Sequence, residues 1–450
     1  MLNYKLISKV LILICALQFS NLEAQINLSL EKCKELAIKN NTKLKNADLE
    51  IEISNNIKES AFTKYFPSIE GTGLIMQSAK DLFEMTIKGG NLPVYDGNPM
   101  NILTAKTFAY MPTTTISMLD YLYMGGFNFS QPIYAGGRIV NGNRLAELGI
   151  DASKDKKNIV ITELNQKAED QYWQIYSLYE KVKTMDSYAK LLDNLHKDAS
   201  AAQSAGLITK NDVLKIGIKQ NEIKISRLKI TNNIELALMG YCQFLGIPYQ
   251  KDIILSDSLS QDSSPEKYYI DHNEALKNRT EYKLLQKSIK AEEIQTDIKR
   301  GEYLPEIGIG ASAVYVDVMD NSKSNIIAFG KLTIPITGWW DANYSMQERQ
   351  LKEQIANNNA KENSELMLVQ MQKAWNELNE TYKQIELSAL SIKQAQENLK
   401  EYNDNYTNGI INISDLLQAQ SLLQDSKDNL LEIKTNYRKK IVNYLAVTGR

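Results

Sequence analysis

The chain has no long apolar run after its first 24 residues, and it is poor in residue types that many enzymes use. No stretch of 18 consecutive apolar residues follows residue 24, so the sequence predicts no transmembrane helix. Two histidines and a formal net charge of −2 leave little material for a histidine-based metal site and no basic surface for nucleic acid. No glycine-rich phosphate loop ending in Lys-Ser or Lys-Thr is present. We therefore predict no catalytic site, no cofactor, no bound metal and no nucleic-acid partner.

Proline is absent from two long segments, 133–247 and 336–450. Because proline inside a helix costs about 3 kcal/mol or more, both segments can be helical over most of their length. Between Pro132 and Gly206 we predict one helix of about 65 residues, roughly 100 Å long at about 1.5 Å per residue. Apolar residues recur about every 3.5 residues in both segments, as in helices that pack lengthwise. These residues are Tyr172, Ile175, Tyr179 and Val182 in the first segment, and Leu378, Tyr382, Ile385, Ala389, Ile392 and Leu399 in the second.

Residues 1–24 are typical of a secretory signal peptide, with lysines before a short apolar core and a small residue before a cleavage site at Gln25. A lipoprotein signal at Cys15 is disfavoured because a bulky isoleucine precedes the cysteine. After cleavage only Cys33 and Cys242 remain. They could pair in an oxidising compartment, but two buried thiols on different helices is the favoured interpretation.

The chain contains an internal repeat. Residues 206–214 match residues 409–417 at an offset of 203, and residues 37–67 match residues 275–305 at an offset of 238. The difference between the offsets predicts an insertion in the first copy, a loop at about 77–126. We expect a first repeat at 25–249 with a helical-hairpin tip at about 204–212. A polar linker follows at 250–268, and then a second repeat at 269–450 with a tip at about 406–415.

Extended segments with alternating character lie next to the prolines. Phe127, Phe129 and Ile133 fall on one side of such a segment, and Leu332 shares this apolar character at the offset of 203. Segments of about ten residues that are apolar on one face and polar on the other are what a transmembrane β-barrel requires. A small soluble sheet with one buried face has the same pattern. Export of the chain and the length of its helices favour the barrel.

Three motifs resemble the TolC family of outer-membrane efflux proteins. The segment 28–41 is similar to the first helix of the family, 65–69 to its helix-to-strand junction, and 131–138 to its strand-to-helix junction. The order and duplicated spacing of these motifs extend the resemblance over residues 25–450.

This resemblance implies a mostly α-helical fold with a membrane β portion. Four strands cannot close a barrel around a water-filled pore, whereas three chains supply twelve, so the expected assembly is a homotrimer with a twelve-stranded transmembrane β-barrel. Long antiparallel helical hairpins would form a periplasmic α-barrel. The implied localisation is the outer membrane of a Gram-negative bacterium, in contact with outer-membrane lipid and extending into the periplasm. The implied partners are a periplasmic adaptor (membrane fusion) protein and an inner-membrane efflux pump or ABC exporter.

The resemblance also assigns site residues at the two tips. Contact with the adaptor falls on Gly206, Leu207, Ile208 and Asp212, and on Gly409, Ile410, Ile411 and Asp415. A periplasmic gate falls on Asp415 and Tyr406, with Ile411 where the family can have an arginine and Gln418 where it often has a second acid. We therefore expect a gate held by apolar packing and hydrogen bonds. A purely structural interpretation stays open, in which the glycines permit positive φ and the aspartates cap helices.

Taken together, the sequence predicts a passive channel subunit of a tripartite efflux or type I secretion system, and not an enzyme. The alternatives are an exported coiled-coil structural or adaptor protein without a pore, and a porin for uptake. The inserted loop carries Met76, Met85, Met100, Met111, Met118 and Met124. Thioether metal binding is one interpretation of them, and adaptable packing in a loop over the barrel mouth is the favoured one.

Overall fold

The computed structural model of the protein describes residues 27–80, 82–118, 121–251, 253–259, 263–318 and 321–450. The predicted signal peptide lies outside the described residues. None of the helices in the described part of the chain is both long and apolar enough to cross a membrane. Two compact units are present. One contains residues 150–289 and 356–450 with the N-terminal helix, and the other contains residues 54–149 and 290–355.

The helices come in two similar series. The first series is α1 (Leu30–Asn40), α2 (Thr42–Phe62), α3 (Arg138–Ser204) and α4 (Lys210–Leu245). The second series is α5 (His272–Asn278), α6 (Thr280–Gly301), α7 (Trp339–Thr407) and α8 (Ile413–Val447). Helices α4 and α8 begin 203 residues apart, and α2 and α6 begin 238 residues apart. The third helix of each series has 67 and 69 residues, close to the predicted length.

The strands are β1 (Asn27–Leu28), β2 (Ser68–Gln77), β3 (Phe83–Ile87), β4 (Gly90–Pro93), β5 (Phe108–Met111), β6 (Thr114–Met118), β7 (Tyr121–Ala135), β8 (Ile254–Leu255), β9 (Glu306–Val318) and β10 (Asn321–Thr333). Four of them form an antiparallel sheet in the order β10-β9-β7-β2. Strand β7 continues through Pro132, with a register shift between Pro132 and Tyr134. A bulge accommodates a residue that has no N–H for the ladder.

The two faces of this sheet differ in polarity. Because side chains alternate along a strand, the pairing registers place Ile69, Phe127, Ile326 and Leu332 on one face, and these side chains are 62–77% exposed. The other face carries polar groups, including a hydrogen bond from Ser312 Oγ to Asn128 Oδ1 of 2.7 Å. The predicted agreement between Phe129 and Leu332 is therefore confirmed.

Phe329 of β10 lies on the polar face, which the alternation had not indicated. It pairs with Gly310, where an added Cβ would come within 2.5 Å of the Phe329 ring. The glycine thus leaves the space into which the aromatic ring folds.

The inserted loop is shorter than predicted and has its own structure. Its predicted end at Gly126 is wrong, because β7 already begins at Tyr121. Within the loop, β3 pairs with β6 and β4 pairs with β5. Gly89 lies between the two ribbons with no room for a side chain, since a Cβ there would be 2.3 Å from the Thr113 backbone nitrogen. Met85 and Met100 of this loop are 58% and 84% exposed, so they are not buried packing residues within the chain.

Each helical hairpin has an apolar core of its own. Helices α3 and α4 pack with α1 around Tyr172, Ile175, Tyr241 and Leu245, and α7 packs with α8 around Leu378 and Tyr437. Cys33 of α1 and Cys242 of α4 are free thiols in the first core, as favoured from the sequence. The predicted apolar stripe of α7 is wrong at Ala389, which is exposed. Ser388 and Ala395 are buried in that region instead.

Part of the predicted linker is fastened to the first hairpin. We call residues 253–259 the strap. Strand β8 of the strap pairs in parallel with β1. The Tyr172 hydroxyl accepts from the Asp257 N–H at 3.0 Å and lies 2.9 Å from Asp257 Oδ2, which also accepts from the Leu30 N–H at 2.7 Å. The strap therefore caps the start of α1.

Candidate functional site

The two tips have the same backbone geometry. We call residues 205–209 the first tip and residues 408–412 the second tip. Gly206 and Gly409 have φ of 75° and 73°. The next amides, of Leu207 and Ile410, donate back to the carbonyls of Ala202 and Asn405, each at 2.9 Å. This is the Schellman ending of a helix, which favours glycine because the left-handed conformation is strained for other residues.

The apolar residues of the tips differ in exposure. Leu207 and Ile410 are 77% and 69% exposed. A residue at this position of a Schellman motif often packs back on its helix, and these two do not. Ile208 and Ile411 are half-buried. Ile208 packs against the buried residues between the hairpins.

The following helices are capped in different ways. At the first tip Asp212 forms a capping box with Thr209, since its Oδ2 accepts from the Thr209 N–H at 3.1 Å and from the Thr209 hydroxyl at 2.7 Å. At the second tip the Asn412 side chain caps α8, accepting from the amides of Ser414 and Asp415 at 2.8 and 3.3 Å. The structural interpretation of the aspartate therefore fits Asp212. At the second tip Asn412, and not Asp415, caps the helix.

An apolar cluster joins the two hairpins near the tips. We call it the tip cluster. Its buried residues are Tyr188, Leu192 and Ala199 of α3, Ile216 of α4, and Ile413, Leu416 and Leu417 of α8. Tyr402 and Tyr406 of α7 pack on it. The cluster brings all four long helices together, and burial on this scale makes it a large contribution to holding the hairpins in contact.

Tyr406 lies beside acidic groups of the first hairpin. Burial raises the pKa of its hydroxyl, and the carboxylates of Asp212 and Asp198 raise it further. The structure thus brings two predicted site residues, Tyr406 and Asp212, near one another. Asp415 is half-buried, and Gln418, one turn later, is exposed.

Polar contacts follow the line where α3 meets α8. We call them the polar seam. They are Gln166–Asn443 at 3.2 Å, Lys181–Glu432 at 3.1 Å, Thr184–Asp428 at 3.0 Å and Tyr188–Ser421 at 3.4 Å. Nearer the tips, Lys215 Nζ of α4 donates to Ser414 Oγ of α8 at 2.8 Å. Sequence reasoning missed Lys215, Ser414 and Asn412. The N-cap preference of asparagine before Ile413 was a usable signal, whereas nothing local indicates the lysine contact.

The described residues include no group of three or more His, Cys, Asp or Glu side chains suited to a metal ion. What the tips offer is exposed apolar side chains, carboxylates and a packed contact between hairpins. These features suit protein contact and movement of one hairpin against the other.

Comparison with known proteins identifies the class. Residues 272–450 match the family model described as outer membrane efflux protein. The match covers the second helix series, and this part of the chain is similar to that family. No significant match to a curated protein sequence was found. Solved structures extend the fold to the first half as well.

Three of these structures are of channel proteins. The CusC structure has 15% identity and a TM-score of 0.74, covering 94% of this chain and 92% of that one. The Campylobacter jejuni CmeC channel has 15% identity and a TM-score of 0.71, covering 93% and 85%. The Neisseria gonorrhoeae MtrE channel in its open state has 14% identity and a TM-score of 0.72, covering 93% and 88%. Family match and fold together confirm the predicted class, an outer-membrane efflux channel and not an enzyme. They also confirm the predicted localisation, in the outer membrane and extending into the periplasm.

Proposed function

We propose that three copies of this chain form the passive exit duct of a tripartite efflux system or a type I secretion system. An inner-membrane pump or ABC exporter supplies the energy, and a periplasmic adaptor protein joins the two. The observation that carries this proposal is the four-stranded sheet with two long free edges and an exposed apolar face.

Both edge strands of the sheet have backbone groups that are unpaired on one side within the described chain. Edge strands β2 and β10 have 10 and 13 residues, and within the described chain each pairs on one side only. Unpaired backbone groups cannot face lipid, because no water is available there to satisfy them. Pairing β2 of one copy with β10 of the next satisfies both edges, and three copies then close a ring of twelve strands.

The exposed face supports the same assembly. Ile69, Phe127 and Ile326 belong to three different strands, and each is at least 66% exposed. An apolar band across all strands suits contact with outer-membrane lipid, while the polar face with Asn128 and Ser312 suits a water-filled interior.

In this proposal the two helix series are structural repeats, 25–249 and 269–450, joined by the segment 250–268. The exposed Leu207 and Ile410 support contact of the tips with the adaptor. Asp415 supports a gate, because its carboxylate is free of the capping role that Asn412 performs. Three such carboxylates near a threefold axis would attract cations.

A cysteine pair tests the edge pairing. Thr72→Cys on β2 is combined with single cysteines scanned along β10. Within one chain these edges are separated by β7 and β9, roughly 14 Å at about 4.8 Å per strand step, too far for a disulfide. We expect covalent ladders up to the trimer at one register, and none with either single variant.

Mass and conductance complete the test. The detergent-extracted wild type should have the mass of three chains and conduct ions in a planar bilayer. A monomer that needs no detergent, does not conduct and gives no covalent ladder would contradict the proposal. It would favour the coiled-coil structural or adaptor protein instead.

A further inference from the structure

Lys215 and Ser414 connect the two hairpins close to the tips. Lys215 lies in the second turn of α4, and Ser414 lies in the first turn of α8. The ammonium Nζ donates to the Ser414 hydroxyl at 2.8 Å, and both side chains are half-buried. The two residues are 199 positions apart in the sequence.

On each helix, an isoleucine directly adjacent in sequence to this contact is buried. Ile216 follows Lys215, and Ile413 precedes Ser414; they are 0% and 1% exposed and belong to the tip cluster. Apolar burial therefore fixes the position of both helices immediately beside the hydrogen bond. Because the contact borders a packed cluster, water competes for it less than at an open surface.

This contact differs from the polar seam in the helices it joins. The seam runs between α3 and α8, whereas Lys215 ties α8 to α4. The start of α8 is thus held from a second side. Its first turn is also held from within, because Asn412 accepts from the Ser414 and Asp415 amides. Any movement of the second tip away from α4 has to break the Lys215–Ser414 bond.

From this arrangement we infer that Lys215 is a positioning residue for the gate, a latch that holds the first turn of α8, and Asp415 with it, against the first hairpin. The inference rests on the proposed function for the gate itself. Its distinctive feature is the acceptor. Lys215 donates to a neutral hydroxyl and not to a carboxylate, so this contact depends less on ionic strength than an ion pair would.

Conductance variants test the latch. Lys215→Met keeps much of the apolar stem and removes the ammonium donor. We expect the ratio of open to closed channel to rise about fivefold, because a partly exposed charged hydrogen bond contributes about 1 kcal/mol. Lys215→Arg should restore the closed state. The matched control is Lys219→Met, one turn later on α4, where the ammonium pairs with Glu222 of the same helix at 3.2 Å. It should leave the ratio unchanged.

Variants of the acceptor separate a latch from a general packing role. Ser414→Ala should raise the open ratio as Lys215→Met does, and the double variant should add nothing further. Ser414→Asp should create an ion pair, closing the channel more strongly at 0.1 M salt than at 1 M. That salt dependence should disappear when Lys215→Met is added. A purely structural lysine would not produce this pattern.

Two results would overturn the latch: equal effects of Lys215→Met and Lys219→Met, or additive effects of the Lys215 and Ser414 variants. Amide hydrogen exchange at residues 413–417 in detergent gives a readout that needs no pore. Lys215→Met should speed exchange there and Lys219→Met should not. If the wild type never conducts, the proposed function fails, and the exchange experiment alone decides whether the latch exists.

Discussion

Asp415→Ala separates a gate from a helix cap at the second tip. The Asn412 side chain already accepts hydrogen bonds from the backbone amides of Ser414 and Asp415, so no capping hydrogen bond depends on the Asp415 carboxylate. Its removal loses only the interaction of an anion with the helix N-terminus, about 0.3–1 kcal/mol. The matched variant Asn412→Ala removes the N-cap side chain itself, which should lower the stability by about 1 kcal/mol, and by up to about 2 kcal/mol. The two variants should therefore differ in function much more than in stability.

The functional magnitude follows from charge. A trivalent cation about 8 Å from one carboxylate gains about 1.6 kcal/mol in water, and ionic strength near 0.1 M reduces this to about 0.7 kcal/mol. Three carboxylates around a threefold axis then contribute about 2 kcal/mol, or roughly 30-fold in affinity. Asp415→Ala should raise the half-blocking concentration of a trivalent cation such as hexamminecobalt(III) by about this factor.

The assay is block of single-channel current in a planar bilayer, with helix content followed by circular dichroism during heating. Asn412→Ala should lower the apparent melting temperature and leave the blocking concentration within about twofold, which corresponds to about 0.4 kcal/mol. If Asp415→Ala leaves block and cation selectivity unchanged, the carboxylates do not lie near the conduction path, and the assignment of the gate is refuted.

Two further predictions concern the first hairpin. Tyr172→Phe should destabilise the protein by about 2–3 kcal/mol, because the buried Tyr172 hydroxyl makes hydrogen bonds to more than one atom of the strap. Tyr179→Phe should destabilise it by about 1 kcal/mol, because the Tyr179 hydroxyl donates to the Ile253 carbonyl of the strap. Thermal melting curves of the two variants measure this difference in stability. Burial raises the pKa of the Cys33 thiol to about 11, so the folded chain keeps this proton and loses relative stability as pH rises from about 9 toward 11. Iodoacetamide at pH 8 should label neither Cys33 nor Cys242 until denaturant is added, and labelling of the folded protein would contradict the burial.

The helices were predictable because their determinants are local. Absence of proline and a repeat near 3.5 predicted one helix between Pro132 and Gly206, and α3 runs from Arg138 to Ser204. The error in α7 has a physical reason. Apolar periodicity favours Ala389, but the buried position is Ser388, whose hydroxyl accepts from the Asn429 side-chain amide at 3.4 Å. A satisfied serine can be buried, and a pattern of hydrophobicity alone does not register it.

The loop and the latch were not predictable in the same way. The ribbons of the loop depend on pairing between β3 and β6 and between β4 and β5, which repeat analysis does not address because the second copy has no counterpart. The Lys215–Ser414 bond joins residues of ordinary types that are 199 positions apart. Both become visible only when the chain is folded, because neither leaves a local spacing in the sequence.

The distribution of polar and apolar contacts indicates where the two hairpins can separate. Apolar cores join α3 to α4 and α7 to α8, whereas the seam between α3 and α8 is polar. Grooves of about 680 and 570 Å³ follow the seam. Side-chain oxygens of Asn165 and Asp170 are buried on this part of α3 without a hydrogen-bond partner among the described residues. Opening the seam hydrates groups that are already polar, so it costs little.

At the end of the hairpins, by contrast, the contact between them is apolar, because the tip cluster lies there. Ile216, Ile413 and Leu416 are at most 1% exposed, and separating the hairpins there exposes apolar side chains at about 25 cal/mol per Å². The resistance to opening is therefore concentrated in the last turns beside the tips, where the Lys215–Ser414 bond and Tyr406 also lie. A partner that binds the exposed Leu207 and Ile410 would act beside the apolar contact that resists separation of the hairpins.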